Sequence, residues 1–497
     1  MLKIILPLII LAFILRILFI SQGAVSFHYD MARDAFIALQ IWNGDLKILG
    51  PPTSTPGLFH GALYYYLLAP FYGLGKGDPR VVAFFLAFLN SLAVFPIMFL
   101  AKDLFKNIKW AILAGLLFAV SFEANQYGPW LSNPSPSILT VILFFYFLRI
   151  WQKGENKALY LAFLSAVISS QFQFFLIYLL LLIPIFGYLF KIKVTLNQIR
   201  ISSILAILGL SPFIIAAIKF QTLQTFLGGF LNIATATQVD FRPPFSQALL
   251  NYVDRFSEIF IYNFFPTNVF LGGLLALVVL PFLRKEKLIL FYLFSNFPIF
   301  IFGGHSNTYA NVGLVVGAIL AVINMIKILT KWSKVLAVLL VLLIIVSNLY
   351  SHFKNSPLGQ IILVIPNDMV LKNQIDLIDQ TYKKAEGQPF SINTLTLPLW
   401  TNTTWAYLYS WYGKQKYGYV PEFTGHDQVG LLGVNDLKKI DKPLDKSFFI
   451  IEPHVGIPDT EFNLEIGSEN SKTDLISEIK YEGLILQFRK PKSDAKQ

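Results

Sequence analysis

The Lys and Arg residues of this chain are sorted by loop, and that sorting constrains the fold more than any single motif. Lys102, Lys106 and Lys109 share one short loop between apolar runs, and Arg149, Lys153 and Lys157 share another. Lys191, Lys193 and Arg200, then Arg284, Lys285 and Lys287, then Lys327, Lys331 and Lys334 occupy three more. These are alternate loops, and the short loops between them contain no Lys or Arg. A chain that threads back and forth through a bilayer keeps its basic loops on the cytoplasmic side, whereas a water-soluble helical protein has no reason to alternate them.

Apolar runs able to cross a membrane need about 17 to 25 residues, or fewer within a bundle. Eleven fit the alternation, near 3–20, 81–101, 110–124, 135–151, 157–171, 173–190, 200–219, 267–283, 286–303, 309–327 and 335–351. The expected fold class is therefore an α-helical polytopic membrane protein of about 11 transmembrane helices. Composition agrees: 55% of residues are hydrophobic and 14% charged, against about a quarter charged in soluble domains. The formal charge of +11 lies largely in the short loops, so it is read as topology and not as a nucleic-acid footprint. Absence of Cys excludes disulfides, thiolate metal sites and cysteine nucleophiles.

No small-x-small cleavage site follows the first run, which is read as a retained anchor. With an odd number of spans, the amino terminus is cytoplasmic. The first loop (21–80), the loop 220–266 and the tail after 351 then face outward, as expected of a multi-pass protein of the plasma membrane. The chain divides into a transmembrane catalytic domain (1–351) and an extracytoplasmic soluble α/β domain (352–497). Within the first loop, 31–43 and 60–73 read as amphipathic helices along the interface, separated by the irregular Gly50-Pro51-Pro52-Thr53-Ser54-Thr55-Pro56-Gly57. In the tail, 373–386 and 402–417 read as helices and 447–451 and 484–488 as strands.

The chemistry gathers where the first run meets the outer surface. Asp30 and Asp34 lie one helical turn apart with Arg33 beside them. The plain reading makes Asp30 an N-cap and pairs Asp34 with Arg33. The functional reading makes Asp30 the base that takes a proton from an acceptor hydroxyl and Arg33 the ligand of a donor phosphate. Asn125, Gln126, Tyr127, Trp130 and Asn133 form a second outer cluster suited to sugar hydroxyls, or to an interfacial turn. Arg242 and Arg255 are the arginines of the loop 220–266; one reaches a phosphate, or pairs with Asp254 or Glu258. Arg16, near the outer end of the first span, is expected to snorkel. Asn402-Thr403-Thr404 matches an N-glycosylation acceptor, a motif common by chance.

Asp30 with Arg33, then Gly44-Asp45, a Gly/Pro-rich stretch and His60-Gly61-Ala62-Leu63-Tyr64-Tyr65-Tyr66-Leu67 resemble the first outer loop of the GT-C glycosyltransferases. The protein O-mannosyltransferase and aminoarabinose transferase branch (glycosyltransferase family 39-like) is the most similar. The resemblance implies a polyprenyl-phosphate sugar as donor, an acidic residue of this loop at the catalytic centre, and inversion at the anomeric carbon. It assigns catalysis to Asp30 and Asp34, with Met31 where the family commonly has a second acid. It assigns the donor phosphate to Arg33, His60, His305 and Tyr309, with His60 standing where relatives have a lysine; outer-loop position adds Arg255 as a further phosphate ligand and Tyr64 and Asn133 as substrate contacts. A divalent cation at Asp30 and Asp34 is left open, although two carboxylates are few for one.

The function so implied is transfer of a sugar, hexosyl or pentosyl, from a lipid-phosphate donor to an unspecified acceptor (protein, lipid or polysaccharide) outside the cytoplasm. A lipid donor carries its own activation, and no Gly-x-Gly-x-x-Gly or Walker motif is present. Two other readings stay open. A transporter or flippase of lipid-linked sugars would place ionisable residues at mid-span, where this chain has few. A glycan ligase or polymerase would differ in the size of its donor groove.

Overall fold

The computed structural model describes every residue except 1, 54–56, 226–243, 304–307, 365–367, 427–436 and 493–497. His305 therefore lies outside the described residues. Chain packing separates two compact units: one formed by Met1–Leu18, Leu46–Leu67 and Phe84–Ser356, the other by Phe19–Asp45, Leu68–Ala83 and Pro357–Gln497. Packing thus groups two stretches of the first loop with the tail, a partition that hydropathy does not reveal.

The first unit is helical. Among the described residues, five helices are long and apolar enough to cross a membrane: Pro79–Phe105, Pro134–Gln152, Leu196–Lys219, Val315–Trp332 and Lys334–Leu358. Phe245–Phe264 and Val269–Leu283 would form a sixth, bent by 109°. The first of that pair falls in a stretch read from sequence as loop; its apolar residues recur with helical period, so Ala248, Tyr252, Phe256, Ile259 and Phe260 line one buried face. Four shorter apolar helices accompany these, Ile108–Val120, Lys157–Phe172, Phe174–Leu189 and Lys287–Phe300. Val315–Trp332 is buried through its first three turns, from Val315 to Ile326. In contrast, Lys334–Asn355 exposes Val335, Leu336, Val338, Leu339, Leu342, Leu343 and Val346. An apolar helix left bare on one side in this way is suited to lipid, not water.

Arg16 departs from the sequence expectation. It does not snorkel: its side chain is buried, Nε donates to Asn90 Oδ1 at 2.6 Å, and Nη1 donates to the Ala12 and Ala119 carbonyls. The ring of Phe118 lies beneath the guanidinium. Its fork of donors reaches carbonyls on neighbouring helices, so the charge is solvated by protein and need not reach the interface.

In the first unit, the Gly/Pro-rich stretch forms a two-stranded antiparallel ribbon, β1 (Leu49–Pro52) with β2 (Phe59–Gly61), where loop was expected. Gly61 is required there, because a Cβ would fall 1.9 Å from Gln171 Oε1.

The second unit contains a five-stranded sheet of order β4-β3-β5-β7-β6, built from β3 (Ser391–Leu395), β4 (Glu422–Phe423), β5 (Ser447–Ile451), β6 (Thr473–Tyr481) and β7 (Leu484–Pro491). β3 runs parallel to β4 and β5, while β7 is antiparallel to β5 and β6. β5 is buried throughout, as its unbroken Phe-Phe-Ile-Ile run requires of a central strand. Leu395, Phe449, Ile451 and Ile457 pack with Phe462 and Ile466 on one face. The Phe448 ring meets Phe390 and Phe488 on the other.

Candidate active site

The helix Tyr29–Trp42 belongs to the second unit and is tied there at its base. Phe27 N donates to the Met369 carbonyl at 2.8 Å, Gln374 Nε2 donates to the Phe27 carbonyl at 2.7 Å, and Ser26 N donates to Gln360 Oε1 at 2.8 Å. Further along, the Tyr407 ring meets Phe27 and Phe36, and its hydroxyl donates to the Gly77 carbonyl. The first-loop helix is thus held by residues more than 300 positions away in sequence.

His28, not Asp30, caps this helix: its Nδ1 accepts from Asp30 N at 3.4 Å. Burial lowers the His28 pKa, with the Asp30 carboxylate opposing and Arg33 adding to the fall. The imidazole is thereby kept in the neutral form, whose lone pair can accept.

With the cap supplied by His28, Asp30 occupies the first turn and shares Arg33 with Asp34. Arg33 Nη1 lies 2.6 Å from Asp30 Oδ1, while Nε and Nη2 both donate to Asp34 Oδ1 at 2.9 and 2.7 Å. Arg33 and Asp34 are buried, whereas the Asp30 side chain is 55% exposed. The triad sets two carboxylates against one guanidinium, with Asp30 on the exposed side. The expected juxtaposition on one face is present. The guanidinium already occupies carboxylate oxygens that a divalent cation would need, and no group of three or more His, Cys, Asp or Glu suited to a metal occurs among the described residues.

The remaining candidates lie in the first unit. His60, on β2, accepts from Phe174 N at 2.9 Å through Nδ1, which places the proton of the neutral ring on Nε2. It borders a small cavity shared with Phe213 and Thr222. Tyr64 is fully buried beside Tyr65. Asn133 donates to the Phe172 carbonyl at 2.7 Å, closing one of the open carbonyls at the end of Lys157–Phe172.

Arg255 pairs with Glu258 at 2.5 Å, and its carbonyl accepts from Asn311 Nδ2. That bond ties the helix Phe245–Phe264 to the turn carrying Tyr309, whose ring lies 6.2 Å from Phe175. The same helix carries Asn263, which bonds Glu123 and Ser121 and whose carbonyl accepts from Asn348. Glu123 and Asn263 escaped the sequence reading, because an isolated Glu at the end of an apolar run and an Asn in a stretch read as loop give no local signal. Asn402, Thr403 and Thr404 are buried, so the glycosylation motif is closed to a glycosylating enzyme in the folded tail.

No family model matches the chain, and no curated protein is similar to it in sequence. Solved structures are similar. The crystal structure of ArnT from Cupriavidus metallidurans bound to undecaprenyl phosphate aligns with a TM-score of 0.56 at 11% identity, covering 97% of each chain. The same protein in the apo state aligns with a TM-score of 0.55 at 10% identity and the same coverage. The chain has the fold of these ArnT structures. The likeness runs the length of both chains, and identity this low leaves the site to be argued from its own residues.

Proposed function

We propose that this protein is an inverting glycosyltransferase that moves a sugar from a polyprenyl-phosphate donor to an acceptor on the extracytoplasmic side of the membrane. The observation that carries the reading is the Asp30–Arg33–Asp34 triad, one carboxylate exposed and one buried, on the first-loop helix of a chain with the GT-C fold. The similar ArnT crystal structure holds undecaprenyl phosphate, which supports a lipid-phosphate donor here. In this proposal all eleven apolar runs cross the plasma membrane with the amino terminus inside. The first loop and the tail's α/β domain then lie outside.

The triad suggests how binding and chemistry are coupled. A donor phosphate that engages Arg33 competes with its two carboxylates. Asp34 is buried and takes two bonds, whereas Asp30 takes one at the exposed side, so Asp30 is the partner released. Removed from the guanidinium, that carboxylate can take the acceptor's proton as its oxygen attacks the anomeric carbon opposite the phosphate. Arg33 stays with the leaving phosphate, whose charge grows in the transition state. His60, Arg255, Tyr309 and His305 remain proposed phosphate ligands, and Tyr64 and Asn133 proposed substrate contacts, each to be tested by single substitution.

Glycoconjugates from cells with and without the protein, compared by mass spectrometry, identify sugar and acceptor. Turnover of the matching undecaprenyl-phosphate sugar by purified Asp30→Asn should then fall by about 10²- to 10⁴-fold. Undiminished turnover in a correctly folded Asp30→Asn protein would remove the proposed base.

A further inference from the structure

A large cavity lies in the first unit, at the end of the helices carrying the basic loops Arg149–Lys157 and Lys191–Arg200. Four helix ends meet there: the carboxyl ends of Pro134–Gln152 and Tyr178–Leu189, and the amino ends of Lys157–Phe172 and Leu196–Lys219. Between them opens a cavity of about 830 Å³, walled by Trp151, Phe163, Leu180 and Ile183. That volume is within the range of about 300 to 1,000 Å³ common for ligand pockets. Two features of the helix Tyr178–Leu189 keep it open. Pro184 lacks the amide that would bond the Leu180 carbonyl, which loosens the wall. Gly187 leaves room for the Trp151 ring, whose edge is 3.1 Å from where a Cβ would sit.

The mouth is polar and basic. Ser202 lines the cavity, is 3% exposed, and its hydroxyl has no hydrogen-bond partner. A buried hydroxyl in that state awaits an acceptor. Lys191 also lines the cavity, and Lys157, Lys193 and Arg200 are exposed around it. Among the described residues, none of these four cations enters an ion pair. Glu155 is the one acidic residue between Arg149 and Arg200.

We infer that this cavity holds an anionic phospholipid of the cytoplasmic leaflet. Its acyl chains lie between Trp151, Phe163 and Leu180, its ester carbonyl accepts from Ser202, and its phosphate lies at Lys191, Lys193 and Arg200. Basic pockets between membrane helices on the cytoplasmic side recognise such headgroups. The inference rests on the orientation set by the basic loops, not on the glycosyl transfer proposed above. A lipid donor with its phosphate at the outer surface would present its headgroup at the opposite end of Leu196–Lys219, which spans 24 residues.

The test uses the full chain in phosphatidylcholine nanodiscs doped with phosphatidylglycerol, with retained lipid counted by native mass spectrometry. Phosphatidylglycerol should be retained over phosphatidylcholine by about tenfold or more, and the triple substitution K191Q/K193Q/R200Q should abolish that preference. Ser203→Trp, which fills the mouth, should displace lipid with the charges intact. Ser202→Ala removes only the hydroxyl and should weaken retention by about threefold or more, even if the Trp variant misfolds. Equal retention of the two lipids, a preference that survives the triple substitution, or displacement of phosphatidylglycerol by added undecaprenyl phosphate would each overturn the assignment. Because the readout is lipid retention, its failure leaves the catalytic proposal untouched, and loss of turnover in Asp30→Asn leaves this one untouched.

Discussion

Two ion-pair clusters in this protein have opposite composition. In the second unit, Arg33 holds Asp30 and Asp34, two carboxylates to one cation. In the first unit, Asp103 holds Arg149, Lys153 and Lys106, three cations to one carboxylate. The Asp103 cluster joins the helix Val94–Phe105 to the carboxyl end of Pro134–Gln152, with positive charge in surplus. It serves as a clasp. The Arg33 cluster keeps one carboxylate on the exposed side with Arg33 buried behind it, the arrangement that the proposed proton transfer would use. A salt bridge is therefore informative through its stoichiometry and burial, more than through its presence.

Substitutions can break that contrast, the largest effect coming from Arg33. Arg33→Ala should destabilise the protein by about 3 to 5 kcal/mol, because it leaves Asp34 buried without its cation. The double variant Arg33→Met/Asp34→Leu should recover most of that loss in thermal unfolding while still failing to bind a polyprenyl-phosphate donor. Recovery of both would make the triad a structural clasp like that of Asp103.

Next in size is a pH effect away from both clusters. Glu452 is buried and accepts from Trp405 Nε1 and Leu397 N, and burial raises its pKa to about 8 despite those bonds. A carboxyl group whose folded pKa lies above its unfolded value favours folding while protonated. Stability should therefore fall between pH ~4.5 and pH ~8, by at most about 1.4 kcal/mol per pH unit. In Glu452→Gln, thermal unfolding followed across this range should lose that slope; an unchanged slope would assign the dependence to other groups.

Smaller again is Gln374→Ala, which removes the bond to the Phe27 carbonyl. It should cost about 1 kcal/mol and lower turnover, because Gln374 positions the base of the Asp30 helix. Unaltered turnover would show that the helix is set without it. The smallest effect belongs to Asp103→Asn, whose exposed partners limit the loss to about 1 kcal/mol or less, with turnover unchanged.

Much of the site was legible because its signals are local. Asp30, Arg33 and Asp34 sit within one helical turn and a half, so their meeting follows from the helical repeat, and the resemblance of the first loop pointed to the fold that the alignment with ArnT displays. Where the reading went astray, groups it had not weighed decided. His28 displaced Asp30 as the cap because its ring could bend back to the helix amide. Arg16 stayed buried because Asn90 and the carbonyls of Phe118 and Ala119 lie on helices some 70 to 100 positions away. β3, β4 and β6 were missed because their residues do not alternate cleanly, and pairing with a central strand compensates for weak local preference.

By itself, the sequence pointed to a chain rich in membrane-length apolar helices and to where its first polar excursion would place acid beside arginine. Those follow from hydropathy, charge bias and helical spacing, each a property of neighbouring residues. Only the tertiary structure decided that the first-loop helix packs with the tail, that Arg33 holds both carboxylates with one of them exposed, and that Glu123 meets Asn263. Such outcomes depend on which surfaces fit across hundreds of residues, where the free energy of burying a group is set by partners that local sequence does not specify.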